Sequence, residues 1–245
     1  MKEKIIGNKI IHLEKIPSTN LYAKQILKDK IPEGTVIVAD VQTKGRGRKN
    51  RHWSSPKGGL WFSVVLYPDI PPEQGMLLTM VASVSVAQAI EEVSKIKPVI
   101  KWPNDLLVDG KKVCGILTEL ETKPTQINYA VVGIGINVNN RIDVKLKDIA
   151  ISLKQAIGSQ VSKVKLLQAI LKYFNKNYSY FASKNFAPIR NAWFSYAKII
   201  GKKIKVQDEE TVIKGVVCDV DDSGHLILDT KNGLTRIVNG DISFL

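Results

Sequence analysis

The sequence predicts an α+β fold: a mixed or antiparallel sheet carrying helices over residues 1–196, then a small SH3-like β-barrel over residues 197–245. Three observations carry this. Strand-type apolar runs are interleaved with helical periodicities up to about Ala197. Asp109-Gly110 sits between two apolar runs, where a type I′ turn with positive φ closes an antiparallel hairpin. Beyond Ala197 the texture changes to short strands set 8–12 residues apart and separated by turn residues. No GxGxxG follows a strand and no GxxxxGK-S/T exists, so neither a Rossmann nor a P-loop nucleotide site is expected.

In chain order, residues 9–16 read as an opening strand. Pro17–Asn20 (PSTN) leads into the helix LYAKQILKD, which Ser18 or Thr19 can cap while Leu21, Ile26 and Leu27 face inward. Thr35–Asp40 and Leu60–Pro68 are buried-type strands, and Met76–Val93 is a mostly buried helix. Val99–Val108 contains a Pro, so it is not one uninterrupted central strand. Ile127–Asn139 is a strand with Gly133 and Gly135 on one face, which leaves room for a ligand against the backbone. Helical patterns follow at ISLKQAIG, KVKLLQAILKYFNKNYSYF and Ala192–Tyr196. Turns are expected at Asp208-Glu209, Ser223-Gly224 and Asn232-Gly233.

Composition narrows the function. Two cysteines, Cys114 and Cys218, build no disulfide framework, and no Cys/His spacing resembles a zinc site. The most apolar stretch, Met76–Ile90, is interrupted by Thr79, Ser83, Ser85 and Gln88 and is too short for a ~30 Å hydrocarbon layer. The N-terminus mixes charges with Ile pairs and lacks a signal-peptide core. A cytoplasmic protein without membrane contact is expected. With 36 Lys plus Arg against 23 Asp plus Glu, the formal net charge is +13, which favours an anionic partner.

Four segments carry chemistry. Gly45–Trp53 (GRGRKNRHW) places Arg46, Arg48, Lys49 and Arg51 on a glycine-rich loop. Arginine forks grip phosphate oxygens, glycines admit backbone N–H groups, and Trp53 can stack on a ring. Taken alone, the loop reads sooner as a solvated basic loop or a nucleic-acid contact than as a phosphate site. Lys101–Asp105 (KWPND) faces Lys111-Lys112 across the hairpin turn, bringing an anion-binding cation and a carboxylate into one neighbourhood. Gly133–Asn137 (GIGIN) and Ser18–Asn20 (STN) read singly as close sheet packing and a helix cap. Gln42 is a polar residue just past a buried strand.

The order STN, Q-x-x-GRGRxxRxW, KWPND, K-x-x-GIL-x-E, GIGIN, from Ser18 to Asn139, resembles the biotin protein ligases, biotin–[acetyl-CoA-carboxylase] ligases. The resemblance implies a class II synthetase-like catalytic domain ending in the small SH3-like domain. It implies adenylation of biotin by Mg-ATP, then transfer from biotinyl-5′-AMP to a lysine of a biotin carboxyl carrier domain. Arg48 and Lys112 would face the carboxylate and α-phosphate. Asp105 would orient Lys112, bind Mg²⁺ or accept a proton. Ser18, Thr19, Asn20, Gln42, Gly45, Arg46, Gly47, Arg48 and Lys112 would surround biotin, with Gly115, Gly133 and Gly135 as its floor. Arg48, Arg51, Trp53, Asn104, Lys112 and Asn137 would hold ATP or the adenylate. No metal motif is present; Mg²⁺ arrives with ATP. Thr43–Lys57 has the composition of a segment that ligand orders. Only 17 residues precede Ser18, which implies the short form without sequence-specific DNA binding. A homodimer is expected, with strand edges near Gly133–Asn139 as candidates.

Two other readings compete. A nucleic-acid-binding protein fits the +13 charge but leaves KWPND, STN and GIGIN without a purpose. A lipoate or octanoate transferase of related fold differs in the acid it accepts, and the lipoate ligases' Arg- and Gly-rich signature is absent.

Overall fold

The computed structural model describes residues 5–208 and 211–245. The main sheet contains β1 (Ile10–Ile16), β2 (Val36–Gln42), β3 (Leu60–Leu66), β4 (Val99–Lys101), β5 (Asp105–Val108), β6 (Lys111–Thr122) and β7 (Ile127–Ile136). Their spatial order is β1-β2-β3-β7-β6-β5-β4. Only β1 and β2 run parallel; every other neighbouring pair is antiparallel, so the sheet is mixed as expected. β7 lies inside the sheet between β3 and β6, which corrects the expectation of an exposed edge at Gly133–Asn139; the edges are β1 and β4.

Period-two alternation separates the two faces. Val36, Val38, Phe62 and Val64 join a large core with α2 (Met76–Ser94), α4 (Lys163–Ala182) and α5 (Ala187–Ala197). Ile37, Val65 and Val131 face the other way, toward Ala23 of α1 (Thr19–Ile26). All seven residues of β3 are buried because both its faces are covered. Phe62 and Val64 are fully buried, each worth about 1.5–3 kcal/mol. On α1 the buried residues are Thr19, Asn20 and Ala23; Ile26 and the following Leu27 are half-buried and pack inward against the Ala23 cluster as expected, whereas half-buried Leu21 does not join it.

α2 corrects the reading of Met76–Ile90 as too short to cross a bilayer: Pro72–Ser94 is long and apolar enough by length and composition. It is a core helix, with 72% of its apolar window buried. Its small and β-branched residues pack on several sides at once. Asp109 and Gly110 both have positive φ, 51° and 73°, as the I′ hairpin requires. The expected break in Val99–Val108 is a turn containing a cis Trp102-Pro103 bond between β4 and β5. α3 (Leu153–Ile157) opens with a capping box between Ser152 and Gln155.

The C-terminal strands are β8 (Lys203–Asp208), β9 (Thr211–Val220), β10 (Leu226–Thr230), β11 (Gly233–Ile237) and β12 (Asp241–Phe244). They form an antiparallel sheet in the order β11-β10-β9-β8-β12, in keeping with the barrel expected there. β12 was not foreseen, since its four residues follow directly on the Asn239-Gly240 turn. Glu209 of the expected Asp208-Glu209 turn lies outside the described residues, as do residues 1–4 of the N-terminus. The indole Nε1–H of buried Trp102 donates to the Gly224 carbonyl at 3.2 Å, fastening the C-terminal sheet to the turn before Asp105.

Candidate active site

A cavity of about 300 Å³ opens on the α1 face of the sheet. Seen from its floor, Gly115 of β6 and Gly133 and Gly135 of β7 carry no side chains, and Gly115 pairs directly with Gly135. The walls come from the start of α1, from Arg46–Ser54, from Asn104-Asp105 and from residues 140–150. Every residue expected at the site lines this cavity except Gly45. Gly45 is buried behind it, where a Cβ would stand 2.3 Å from the Trp53 carbonyl oxygen.

Ser18 sits at the cap position of α1, but its side chain makes no capping bond. Ser18, Thr19 and Asn20 are all buried, so the helix-cap reading is corrected. Thr19 donates from both its backbone N and its hydroxyl to Gln42 Oε1, at 2.8 and 3.1 Å. Gln42 Nε2 donates to Ser55 Oγ at 2.8 Å. Ser63 Oγ lies 2.6 Å from both Thr19 Oγ1 and Asn20 Oδ1, its single proton serving one of them at a time. This corner is a closed set of amides and hydroxyls suited to a polar but uncharged ligand, each bond worth about 0.5–1.5 kcal/mol.

The glycines of the floor line the cavity as expected. A Cβ on Gly133 would lie 2.2 Å from Asn20 Oδ1, and one on Gly135 would lie 2.4 Å from Trp53 Nε1. Their bareness therefore also seats two side chains of the site itself. Trp53 packs edge-on to Trp61 with ring centroids 6.4 Å apart. Its Nε1–H is buried without a hydrogen-bond acceptor, a donor left for an incoming oxygen.

Charge gathers at the opposite end. Lys112 Nζ stands 2.6 Å from Asp105 Oδ1 and 5.1 Å from the Trp53 ring centre. The contact is an ion pair, and the buried Oδ1 has no other polar partner. Among the roles open to Asp105, holding Lys112 is the one this contact displays. Asn104 bridges Arg48 Nη1 at 3.2 Å and the Ile116 carbonyl at 2.7 Å. Burial lowers the Arg48 pKa, opposed by Asp241 and Asp105. Asn137 is buried and accepts from Asn140 Nδ2 at 3.0 Å, shaping the turn into residues 140–150. Cys114 is fully buried between these elements, and burial raises its thiol pKa, so it is inert.

The Arg-Gly loop is tied to the C-terminal sheet. Arg48 bonds Asn239 and the Gly240 carbonyl, Lys49 pairs with Asp208 at 2.9 Å, and Arg51 with Asp241 at 2.6 Å. Burial pushes the Asp241 carboxyl up, but Arg51, Arg48 and Lys49 outweigh it and hold the pKa below the usual value. A depressed carboxylate pKa stabilises the folded state above the ordinary value near 4, and the stabilisation is lost as pH falls through the folded pKa. Acidification from about pH 5 downward should therefore destabilise the wild type more than Asp241→Asn; parallel unfolding curves would contradict this.

Several lining residues are not anticipated by the sequence: Ile142, Leu146, Ile149 and Ala150 on one side and Asp241 on the other; nor is Ser63, which lies behind the lining and bonds Thr19 and Asn20. Ser63 had a signal, a lone hydroxyl in the apolar run LWFSVVL. Residues 142–150 had none, because Lys112 reaches them by pairing with Ala150, far away in sequence.

Comparison with known proteins decides the family. Residues 12–137 match the biotin/lipoate A/B protein ligase family, and residues 199–245 match the biotin protein ligase C terminal domain. The bifunctional ligase/repressor BirA of Bacillus subtilis is 41% identical over 99% of this chain and 76% of its own length. The chain belongs to the biotin protein ligase family. A biotin–[acetyl-CoA-carboxylase] ligase of Paracoccus denitrificans is 29% identical over 95% of this chain and 99% of its own length. The solved biotin protein ligase of Aquifex aeolicus, in complex with biotin and ATP, superposes with a TM-score of 0.82 at 33% identity over 97% of this ligase and 99% of that chain.

Proposed function

We propose that this ligase condenses biotin with ATP to biotinyl-5′-AMP and passes the biotinyl group to a lysine of a biotin carboxyl carrier domain. The observation that carries this is convergence: the neutral hydrogen-bonding corner of Thr19, Asn20 and Gln42 and the charged cluster of Arg48, Lys112 and Asp105 line one cavity.

A carboxylate is unreactive toward an amine, so it must first acquire a leaving group. One oxygen of the biotin carboxylate attacks the α-phosphorus of ATP, the bond to the β-phosphate oxygen breaks, and pyrophosphate leaves. Both reactants are anions, and Arg48 and Lys112 supply the opposing charge. The carrier amine then attacks the carbonyl carbon, the bond to the AMP oxygen breaks, and the amine loses a proton. The ureido ring offers two N–H donors and one carbonyl acceptor. Each left unpaired in a buried site costs about 1–3 kcal/mol, and the Thr19–Asn20–Gln42 corner has the matching chemistry.

Among the described residues no group of three His, Cys, Asp or Glu side chains is arranged for a metal. The donor set instead fits Mg²⁺ carried by the ATP phosphates, with Asp105 as the carboxylate that would hold it, since Mg²⁺ uses one or two carboxylates beside phosphate. Bound there, it would neutralise phosphate charge. A cytoplasmic setting and a homodimer belong to the same proposal.

Biotin-dependent ATP–pyrophosphate exchange is the test, followed by AMP-forming biotinylation of a carrier domain. Exchange supported by lipoate or octanoate but not biotin would overturn the assignment. So would absence of exchange together with tight, salt-sensitive polynucleotide binding.

A further inference from the structure

Glu119 belongs to the K-x-x-GIL-x-E motif, yet nothing above gives it a task. It lies on β6 on the same face as Gly115 and Leu117, the face of the cavity. Its Oε2 accepts from Asn20 Nδ2 at 2.7 Å, and its Oε1 pairs with Lys24 Nζ at 2.6 Å. Asn20 Nδ2 also lies 3.3 Å from the Leu117 carbonyl. Both amide hydrogens of Asn20 are thus committed to groups that can only accept, a carboxylate and a carbonyl. That decides which way the amide faces: the nitrogen end toward β6, and Oδ1 toward Ser63 and the bare backbone of Gly133. Oδ1 has two lone pairs, and Ser63 occupies at most one.

We propose that Glu119 is a positioning residue for substrate recognition, locking the Asn20 amide so that the cavity presents an acceptor, and never a donor, at this corner. The ligand group it selects is an N–H donor on a neutral ring. The inference rests on the biotin-ligase reading and deepens it. Lys24 completes the device by holding the other carboxylate oxygen of Glu119 in an ion pair at 2.6 Å. Without the carboxylate the amide can rotate and offer an N–H to an N–H, a mismatch that falls on ring binding and leaves the nucleotide end untouched.

The experiment is steady-state ATP–pyrophosphate exchange on the full chain, varying biotin and ATP separately. Wild-type exchange with biotin establishes the underlying reading; its absence fails that reading and not this one. Given exchange, Glu119→Ala should raise the biotin KM about tenfold, with kcat and the ATP KM within twofold of wild type. Glu119→Gln, whose Oε1 can still accept from Asn20, should recover most of the loss. Should the alanine variant not fold, Asn20→Asp reads the same contact, because it sets two carboxylates face to face. Its raised biotin KM should then be relieved in the double variant Asn20→Asp/Glu119→Gln. A biotin KM unchanged in Glu119→Ala, a loss shared equally by biotin and ATP, or the absence of rescue by glutamine would each overturn the proposal.

Discussion

Lys112→Ala is expected to lower biotin-dependent ATP–pyrophosphate exchange by about 10²–10³-fold, the loss typical of removing one donor aimed at developing charge, ~2.7–4 kcal/mol. Lys112 is the cleaner probe of the two central cations. Arg48 also bonds Asn104, Asn239 and the Gly240 carbonyl, so its removal loosens the C-terminal sheet as well as the site. Lys112 touches Asp105 and Trp53, both lining the same cavity. Its backbone is fixed independently, donating to the Ile149 carbonyl at 2.8 Å and accepting from Ile151 N at 3.1 Å. Truncating the side chain should therefore leave the fold intact. Single-turnover formation of biotinyl-5′-AMP is the measurement, with unfolding curves as control. A rate within threefold of wild type would remove Lys112 from the chemistry.

Gly135→Val is expected to reduce kcat/KM for biotin by more than about 100-fold and to lower stability by about 1–3 kcal/mol, the usual range for overpacking. From bareness alone, a side chain at this position would strike the ligand and spare the fold. The geometry revises that. A Cβ would stand 2.4 Å from Trp53 Nε1 and 2.8 Å from the adjoining indole carbon. Trp53 is held by Trp61 on one side and by the Lys112 ammonium on another, so the indole cannot shift without disturbing both. The damage therefore reaches ATP as well as biotin. Gly115→Ala should be milder, since its Cβ would meet Lys112 Cε at 3.1 Å and Trp53 Cζ3 at 3.2 Å, both looser than the 2.4 Å contact at Gly135. Isothermal titration with each ligand, alongside thermal melts, checks both variants. Unchanged biotin affinity in Gly135→Val would show that Trp53 does not shape the pocket.

The strands and long helices were legible because each carries its own local evidence. The continuous apolar run of β3 marks a strand covered on both faces, and Asp109-Gly110 specifies its turn by backbone conformation alone. The loop Gly45–Trp53 and the KWPND turn stood out because strand building does not call for those residue types together. Ser18–Asn20 taken singly read as a helix cap, and only the motif order assigned them to the site. Capping residues and buried hydrogen-bonding residues are the same types, and only the arrival of Gln42, Ser63 and Glu119 beside them separates the two uses. The glycines of the floor were legible as open space, but a missing side chain does not say which neighbours share that space.

Composition, periodicity and motif order alone determined the class of fold, the division of texture near Ala197 and most of the polar residues that meet in the cavity. Tertiary structure alone decided what those residues do to one another. It set Asn20 over Gly133 and Trp53 over Gly135, brought residues 142–150 to the rim, and laid Asp241 against the Arg-Gly loop from the far end of the chain. The division is physical. Local backbone preference and hydrophobic period act over a few residues and are written in the string, whereas a hydrogen bond or ion pair between distant positions exists only once sheet register has placed both partners within 3 or 4 Å of each other.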